Sequence, residues 1–129
     1  MKRIAFVVMA ALMLAACQES LEERCEREAR EFTEKKCPSL ITPGVTIDSM
    51  TFNKASQTMS YYYSLSGVLD NSEALKKNNL RDILLKELKN STQTQMCKEA
   101  GYNFRYVYYS TQKKGTKLFE ATFQEKDYR

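Results

Sequence analysis

Residues 59–66 read Met-Ser-Tyr-Tyr-Tyr-Ser-Leu-Ser, a stretch in which one side-chain parity is larger and more apolar than the other. The larger parity consists of Met59, Tyr61, Tyr63 and Leu65. A repeat of two residues is the pattern of a β-strand with one buried face. Residues 45–52 also read as a strand, but their apolar residues change parity near Asp48-Ser49, which predicts a β-bulge. Because only a short polar loop separates these strands, we expect an antiparallel hairpin.

A second hairpin is predicted closer to the C-terminus. Aromatic side chains alternate with other residues over positions 102–109, and Lys113-Lys114-Gly115 then provides a turn. After the turn, apolar side chains recur at every second position: Phe119, Ala121 and Phe123. The two segments are therefore expected to pair, and the last residues, 125–129, are expected to fray.

Each predicted hairpin follows a predicted helix. Ser20 and Glu23 have the spacing of a capping box, so the first helix should begin there and run to about Lys36, where Cys37-Pro38 ends it. Its apolar stripe is Leu21, Cys25, Ala29 and Phe32. The second helix should be capped by Asn71 or Ser72, and its buried stripe is Leu80, Ile83, Leu84 and Leu88. A further short helix is expected up to Ala100, where Gly101 stops it.

The element order is thus α-β-β-α-β-β. Both helices have one apolar stripe and each strand has one apolar face, so both need a single partner layer. We therefore predict an α+β fold in which two helices pack on one face of a four-stranded antiparallel sheet. By analogy alone, the same order results when the first strand of a ferredoxin-like fold is moved to its end.

The N-terminus has the layout of an export signal. Lys2 and Arg3 precede twelve apolar residues, 4–15, which as a helix would span about 18 Å and so fall short of a bilayer's roughly 30 Å. The segment ends Leu14-Ala15-Ala16-Cys17, which resembles the lipobox of bacterial lipoproteins. The resemblance implies that residues 1–16 are removed and that Cys17 becomes a lipidated N-terminus.

This resemblance also sets the expected organisation and location. Residues 17–19 would be a short lipidated tether, and residues 20–129 would form a single α+β domain in the bacterial cell envelope. With Gln18 after the lipidated cysteine, the general pattern of such proteins suggests the outer membrane. Two acyl chains are enough for stable anchoring, so the membrane is one expected partner.

Composition excludes several functional classes. Of the 20 basic residues, Lys2 and Arg3 would be lost with the leader, which leaves 18 against 16 acidic residues. The resulting charge of +2 is too small to favour nucleic acid. The chain has no histidine, which removes histidine-based catalysis and the commonest zinc ligand. We therefore expect no metal, no cofactor and no enzymatic activity; Cys37 as a nucleophile and Glu120 with Arg105 are enzyme candidates without a recognisable base.

With Cys17 lipidated, three cysteines remain, enough for one disulfide and one free thiol. Cys25 and Cys37 lie about 18 Å apart along one helix, beyond the 7 Å that a disulfide allows. If the two helices run antiparallel, the start of the first lies near the end of the second. This arrangement favours Cys25–Cys97, with Cys37–Cys97 as the alternative.

The sheet face turned away from the helices is the candidate binding surface. It is expected to carry Tyr62, Arg105, Tyr109 and Glu120 among small hydroxyl residues, a mixture common in recognition surfaces. The expected function is a binding or structural module that contacts an envelope protein or a glycan through this face. An ordinary solvated sheet is the competing interpretation, and an inhibitor or immunity-type envelope lipoprotein is the alternative function.

Overall fold

The computed structural model describes residues 19–129; Cys17 and the proposed leader lie outside them. These residues form five α-helices, α1 to α5, one short 3-10 helix at Gly67–Leu69, and five strands, β1 to β5. The helices are Leu21–Lys36, Ser72–Lys77, Leu80–Asn90, Gln95–Glu99 and Glu125–Tyr128. The strands are Ser39–Thr42, Val45–Asn53, Thr58–Leu65, Asn103–Ser110 and Lys117–Phe123. Within the described residues, no helix is both long and apolar enough to cross a bilayer.

The five strands form one mixed sheet in chain order, β1-β2-β3-β4-β5. The two predicted hairpins, β2–β3 and β4–β5, are confirmed, and so is the bulge in β2, where the register shifts between Ile47 and Ser49. The prediction of a four-stranded antiparallel sheet with the order α-β-β-α-β-β is wrong. An additional edge strand, β1, pairs with β2 across the turn at Pro43-Gly44, and β3 and β4 are parallel.

The parallel pairing follows from the path between β3 and β4. Residues 66–102 leave the sheet at the end of β3 and return along the helical layer to the end where β3 began. The backbone N–H of Asn103, at the start of β4, donates to the carbonyl of Gln57, just before β3, at 2.9 Å. A crossover that travels back over the sheet in this way makes the second strand parallel to the first.

The first helix, α1, begins and ends where the sequence predicted. Ser20 caps α1 by accepting a hydrogen bond from the Glu23 N–H at 3.1 Å, and Cys37 ends it in an extended conformation. The predicted second helix is divided into α2 and α3, because Asn79 adopts a left-handed conformation with φ of 52°. The C-terminus is not frayed, since Tyr128 is buried and its hydroxyl donates to the Tyr102 carbonyl at 2.8 Å.

The two long helices cover different parts of the sheet. Thr33 attaches α1 to β2: its hydroxyl accepts from the Met50 N–H and lies within hydrogen-bonding distance of the Met50 carbonyl, both at 2.9 Å. Helix α3 lies toward β5, where the Arg81 guanidinium stacks over the Phe123 ring at 4.7 Å. Between the two helices the side chains of β3 are only half-buried at Tyr61 and Tyr63. The helix-covered face of the sheet therefore has a gap over β3.

Candidate functional site

The floor of this gap is made of paired tyrosines. The parallel register places Tyr61 opposite Tyr106 and Tyr63 opposite Tyr108. Their rings stack almost parallel, with centroids 5.0 Å apart at an angle of 11° for the first pair and 4.5 Å apart at 10° for the second. Identical neighbours in a parallel ladder thus form two face-to-face ring stacks, which lie next to each other along the strands.

Two cavities lie above this floor, and Tyr63 lines both of them. The cavity next to α1 has a volume of about 420 Å³, and its wall includes Phe32 and Met50. The cavity next to α3 has a volume of about 320 Å³, and its wall includes Ile83 and Leu84. We call these two cavities with their tyrosine floor the groove. Its lining is mostly apolar and aromatic, as ligand sites in proteins usually are.

The groove has a pair of cysteines in its lining and a rim that reaches solvent. In the cavity next to α1 the thiol sulfurs of Cys25 on α1 and Cys97 on α4 lie 3.2 Å apart. On the rim, Ile41 of β1 and Ile83 of α3 are 56% and 47% exposed. Ile83 was predicted to lie in the buried stripe of its helix, so its exposure is a correction. Large apolar side chains exposed together beside a cavity are typical of an interaction site.

Polar groups are few in the groove, and they are placed at its floor and walls. The hydroxyls of Tyr106 and Tyr108 form no hydrogen bond with any group of residues 19–129, although the two side chains are only 8% and 6% exposed. Glu28 of α1 and Glu87 of α3 line opposite walls. Burial, and to a smaller extent the Glu87 charge, raises the pKa of Tyr63 to about 12 and raises the pKa of Tyr106 and Tyr108 as well. At neutral pH these hydroxyls are therefore protonated.

The outer face of the sheet, predicted as the binding surface, is organised differently. The structure brings Tyr62, Arg105 and Glu120 together: the Arg105 guanidinium pairs with Glu120 and donates to the Tyr62 hydroxyl at 3.3 Å. Lys117 adds a second ion pair to Glu120 at 2.7 Å. Tyr109 lies beside this cluster and lines a separate depression near the β4–β5 turn. The charged groups on this face thus use much of their hydrogen-bonding capacity on one another.

The ion pairs of the outer face predict a pH dependence of stability. Hydrogen bonds from Lys117 and then Arg105 lower the pKa of Glu120 from its ordinary value of 4.5. A lowered folded-state pKa means that ionised Glu120 stabilises the fold above pH 4.5, and that this contribution is lost as pH falls through the lowered value. We expect Glu120→Gln to lower the free energy of unfolding at pH 7 by at most about 1 kcal/mol, because the pair is partly exposed.

Urea denaturation of the wild type and Glu120→Gln between pH 7 and pH 3 measures this effect. The difference between the two proteins should shrink below pH 4.5, and Glu34→Gln, at an exposed position of α1, is the control. A difference that stays constant over the whole range would contradict a stabilising role for the ionised carboxylate.

The predicted cysteine sites have different outcomes. Cys25 and Cys97 are brought together in the lining of the cavity next to α1, as the favoured pairing requires, while both thiols are free in this structure. Cys37 lies at the far end of α1. The Cys25–Cys97 disulfide therefore stays a prediction, and lipidation at Cys17 lies outside the described residues. Sequence reasoning missed the groove itself, for which the apolar Ile83 and the tyrosine-rich face of β3 and β4 were the available signals.

Comparisons with known proteins give a family and a fold. A family profile described as a domain of unknown function, DUF8479, matches residues 20–119. A candidate secreted protein from Pseudomonas aeruginosa, known from a crystal structure, is similar at a TM-score of 0.70 and 16% identity, over 86% of this chain and 99% of that one. The type II secretion system pilotin AspS from Vibrio cholerae is similar at a TM-score of 0.57 and 16% identity, over 88% of this chain and 97% of that one. The comparison with curated proteins found no match. At this identity the two structures share the fold with this chain.

Proposed function

This chain belongs to the DUF8479 family, and we propose that it is a lipid-anchored envelope protein whose groove binds an amphipathic helix of another envelope protein. The observation that carries the proposal is the uncovered tyrosine floor between α1 and α3. Its fold resembles those of a candidate secreted protein and of a type II secretion system pilotin. Both likenesses support a place in the cell envelope.

The anchor in this proposal is Cys17, with residues 1–16 removed as the leader. Only Gln18, Glu19 and Ser20 separate Cys17 from the first residue of α1. Fully extended, a tether of three residues spans about 10 Å, so the domain would lie close to the lipid surface. A membrane-bound partner would then meet the groove at a high local concentration, because both are confined to the same surface.

A helix fits the groove better than an extended strand. Helices pack side by side at interaxial distances of about 8–10 Å, and the groove lies between two helices above the tyrosine floor. A strand would instead need an unpaired edge to hydrogen-bond with. The groove offers side-chain surface only, since β3 is paired on both sides, with β2 and β4.

The charges on the walls add a requirement for the partner. Glu28 and Glu87 lie on opposite walls, while the surface between them is apolar and aromatic. Glu28 is paired with Arg24 of its own helix at 2.9 Å, so Glu87 is the wall carboxylate left for a partner. A complementary helix therefore has an apolar stripe with basic residues on the side that faces α3. Charge complementarity of this kind selects between partners more than it adds affinity.

Photocrosslinking in cells tests this proposal. The full chain would carry benzoylphenylalanine in place of Ile83 on the rim of the groove, and the crosslinked segment would be sequenced by mass spectrometry. We expect one dominant adduct whose segment has an amphipathic helical pattern with basic residues beside the apolar stripe.

Two other positions provide controls for this crosslinking. Val68 is 89% exposed and does not line the groove, so it tests for unspecific apolar contact. Tyr62 lies on the outer face. Adducts at Tyr62 without any at Ile83, or a segment from Ile83 with no helical apolar pattern, would contradict the proposal.

A further inference from the structure

The cavity next to α3 combines an apolar wall with an unusual set of polar groups. Leucine, isoleucine and valine side chains form most of the wall. The polar members include three tyrosines, Tyr63, Tyr106 and Tyr108, and one carboxylate, Glu87. A purely apolar ligand would not need this arrangement, because it could use none of these polar groups.

Two of the tyrosines are buried without an internal partner for their hydroxyls. Tyr106 and Tyr108 are more than nine-tenths buried, and within residues 19–129 neither hydroxyl has a hydrogen-bond partner. Buried polar groups in folded proteins nearly always have one. Both hydroxyls retain some contact with the cavity, since no fully buried side-chain nitrogen or oxygen in the described part of the chain lacks a partner. A ligand in the cavity can therefore complete their hydrogen bonding.

Glu87 supplies a negative charge beside these hydroxyls. It lies on the same wall as Ile83, one turn further along α3, and forms no ion pair with any residue of 19–129. Arg81, the one arginine of α3, stacks on Phe123 instead. The carboxylate is thus free to pair with a cation that enters the cavity.

We infer that this cavity binds a lysine or arginine side chain of the docked helix, an inference that rests on the function proposed above. The aliphatic stem of such a side chain packs against Ile83 and Leu84, as long cationic side chains do on apolar surfaces. Its charged end meets Glu87 and the tyrosine hydroxyls, as charge-assisted hydrogen bonds require. A leucine or methionine in the same place would leave the hydroxyls and the carboxylate without partners.

A peptide selection followed by a double-mutant cycle tests the inference. A phage library of 20-residue amphipathic helices would be selected on the full chain in lipid nanodiscs, with Ile83→Arg as the groove-blocked counterselection. We expect the winning peptides to share one lysine or arginine within an apolar stripe. Replacing that residue by norleucine should weaken binding to the wild type by roughly tenfold or more and binding to Glu87→Gln by less than about twofold, because the two changes remove the same contact.

A control variant and distinct outcomes separate this inference from the proposed function. Tyr62→Phe, on the outer face, should leave the norleucine penalty unchanged. Groove-dependent peptides without a shared basic residue, or an equal norleucine penalty on the wild type and Glu87→Gln, would overturn the inference and leave the proposed function standing. If the selection yields no peptide whose binding depends on an open groove, both the inference and the proposed function are overturned.

Discussion

Replacing Lys98 by methionine should lower the free energy of unfolding by about 2–4 kcal/mol. Lys98 is a charged residue that is only 8% exposed. Its amine donates to the carbonyls of Leu88, Lys89 and Ser91 at 2.7, 3.0 and 2.9 Å. These carbonyls lie at the end of α3, where a helix leaves its last acceptors unpaired and where a positive charge is favourable. Methionine has a similar length but no donor, so all three carbonyls would lose this partner at once.

Urea denaturation followed by circular dichroism measures this change in the full chain. With the usual dependence of stability on urea, the midpoint should fall by about 1 M or more. Lys89→Met is the matched control, because Lys89 has the same chemistry at an exposed position nearby. If the two variants are equally stable, the buried amine does not hold the end of α3. Since α3 is one wall of the groove, Lys98→Met should also weaken any groove-dependent binding.

Oxidation of Cys25 and Cys97 to a disulfide should stabilise the domain by about 2–4 kcal/mol, because the bond would close a long loop in the unfolded chain. The two residues are 72 positions apart, and their sulfurs lie 3.2 Å from each other. Burial raises the pKa of the Cys25 thiol to about 12, so this thiol stays protonated at neutral pH. We therefore expect the half-exposed Cys97 to react first; the cell envelope of the proposed function would be an oxidising setting for this step.

Mass spectrometry of unreduced peptides from the native protein identifies the linkage. We expect one peptide pair that joins Cys25 to Cys97, together with an alkylated Cys37. Reduction should destabilise the wild type and Cys37→Ser equally but leave Cys25→Ser unchanged. A linkage that contains Cys37, or three alkylated thiols, would contradict the prediction.

The sequence predicted the features that depend on neighbouring residues. The cap at Ser20, the helix end at Cys37-Pro38 and the bulge between Ile47 and Ser49 are each determined within a few positions. Helix and strand periodicity likewise placed Tyr61 and Tyr63 on the helix-covered face of β3. These local signals also predicted both antiparallel hairpins.

Features that depend on distant parts of the chain could not be predicted in the same way. Strand β1 has four residues, all of them exposed, so it has no alternation to detect. The parallel pairing of β3 with β4 depends on the path of residues 66–102 over the sheet, which no periodicity encodes. The groove exists because α1 and α3 cover different strands, and only the three-dimensional structure shows that spacing.

The predicted binding surface and the groove lie on different faces of the sheet, again because alternation does not show how distant parts of the chain pack. Alternation correctly grouped Tyr62, Arg105 and Glu120 on one face, but it could not show that their polar groups bind one another. It also assigned the helix-covered tyrosines to the core. In the structure Tyr61 and Tyr63 are half-buried and form part of the groove floor, which no helix covers. The candidate site therefore lies on the helix-covered face of the sheet, opposite the face that was predicted.

Methyl NMR of the full chain in nanodiscs, titrated with the helical segment identified by crosslinking, tests the groove most directly. Methyl groups report on both faces: Ile41, Met50 and Ile83 line the groove, and Val107 lies beneath the Tyr62–Arg105 cluster on the outer face. We expect the three groove methyls to shift in proportion to bound peptide while Val107 does not move. A shift at Val107 with unchanged groove methyls would show that the partner binds the outer face and would contradict the account.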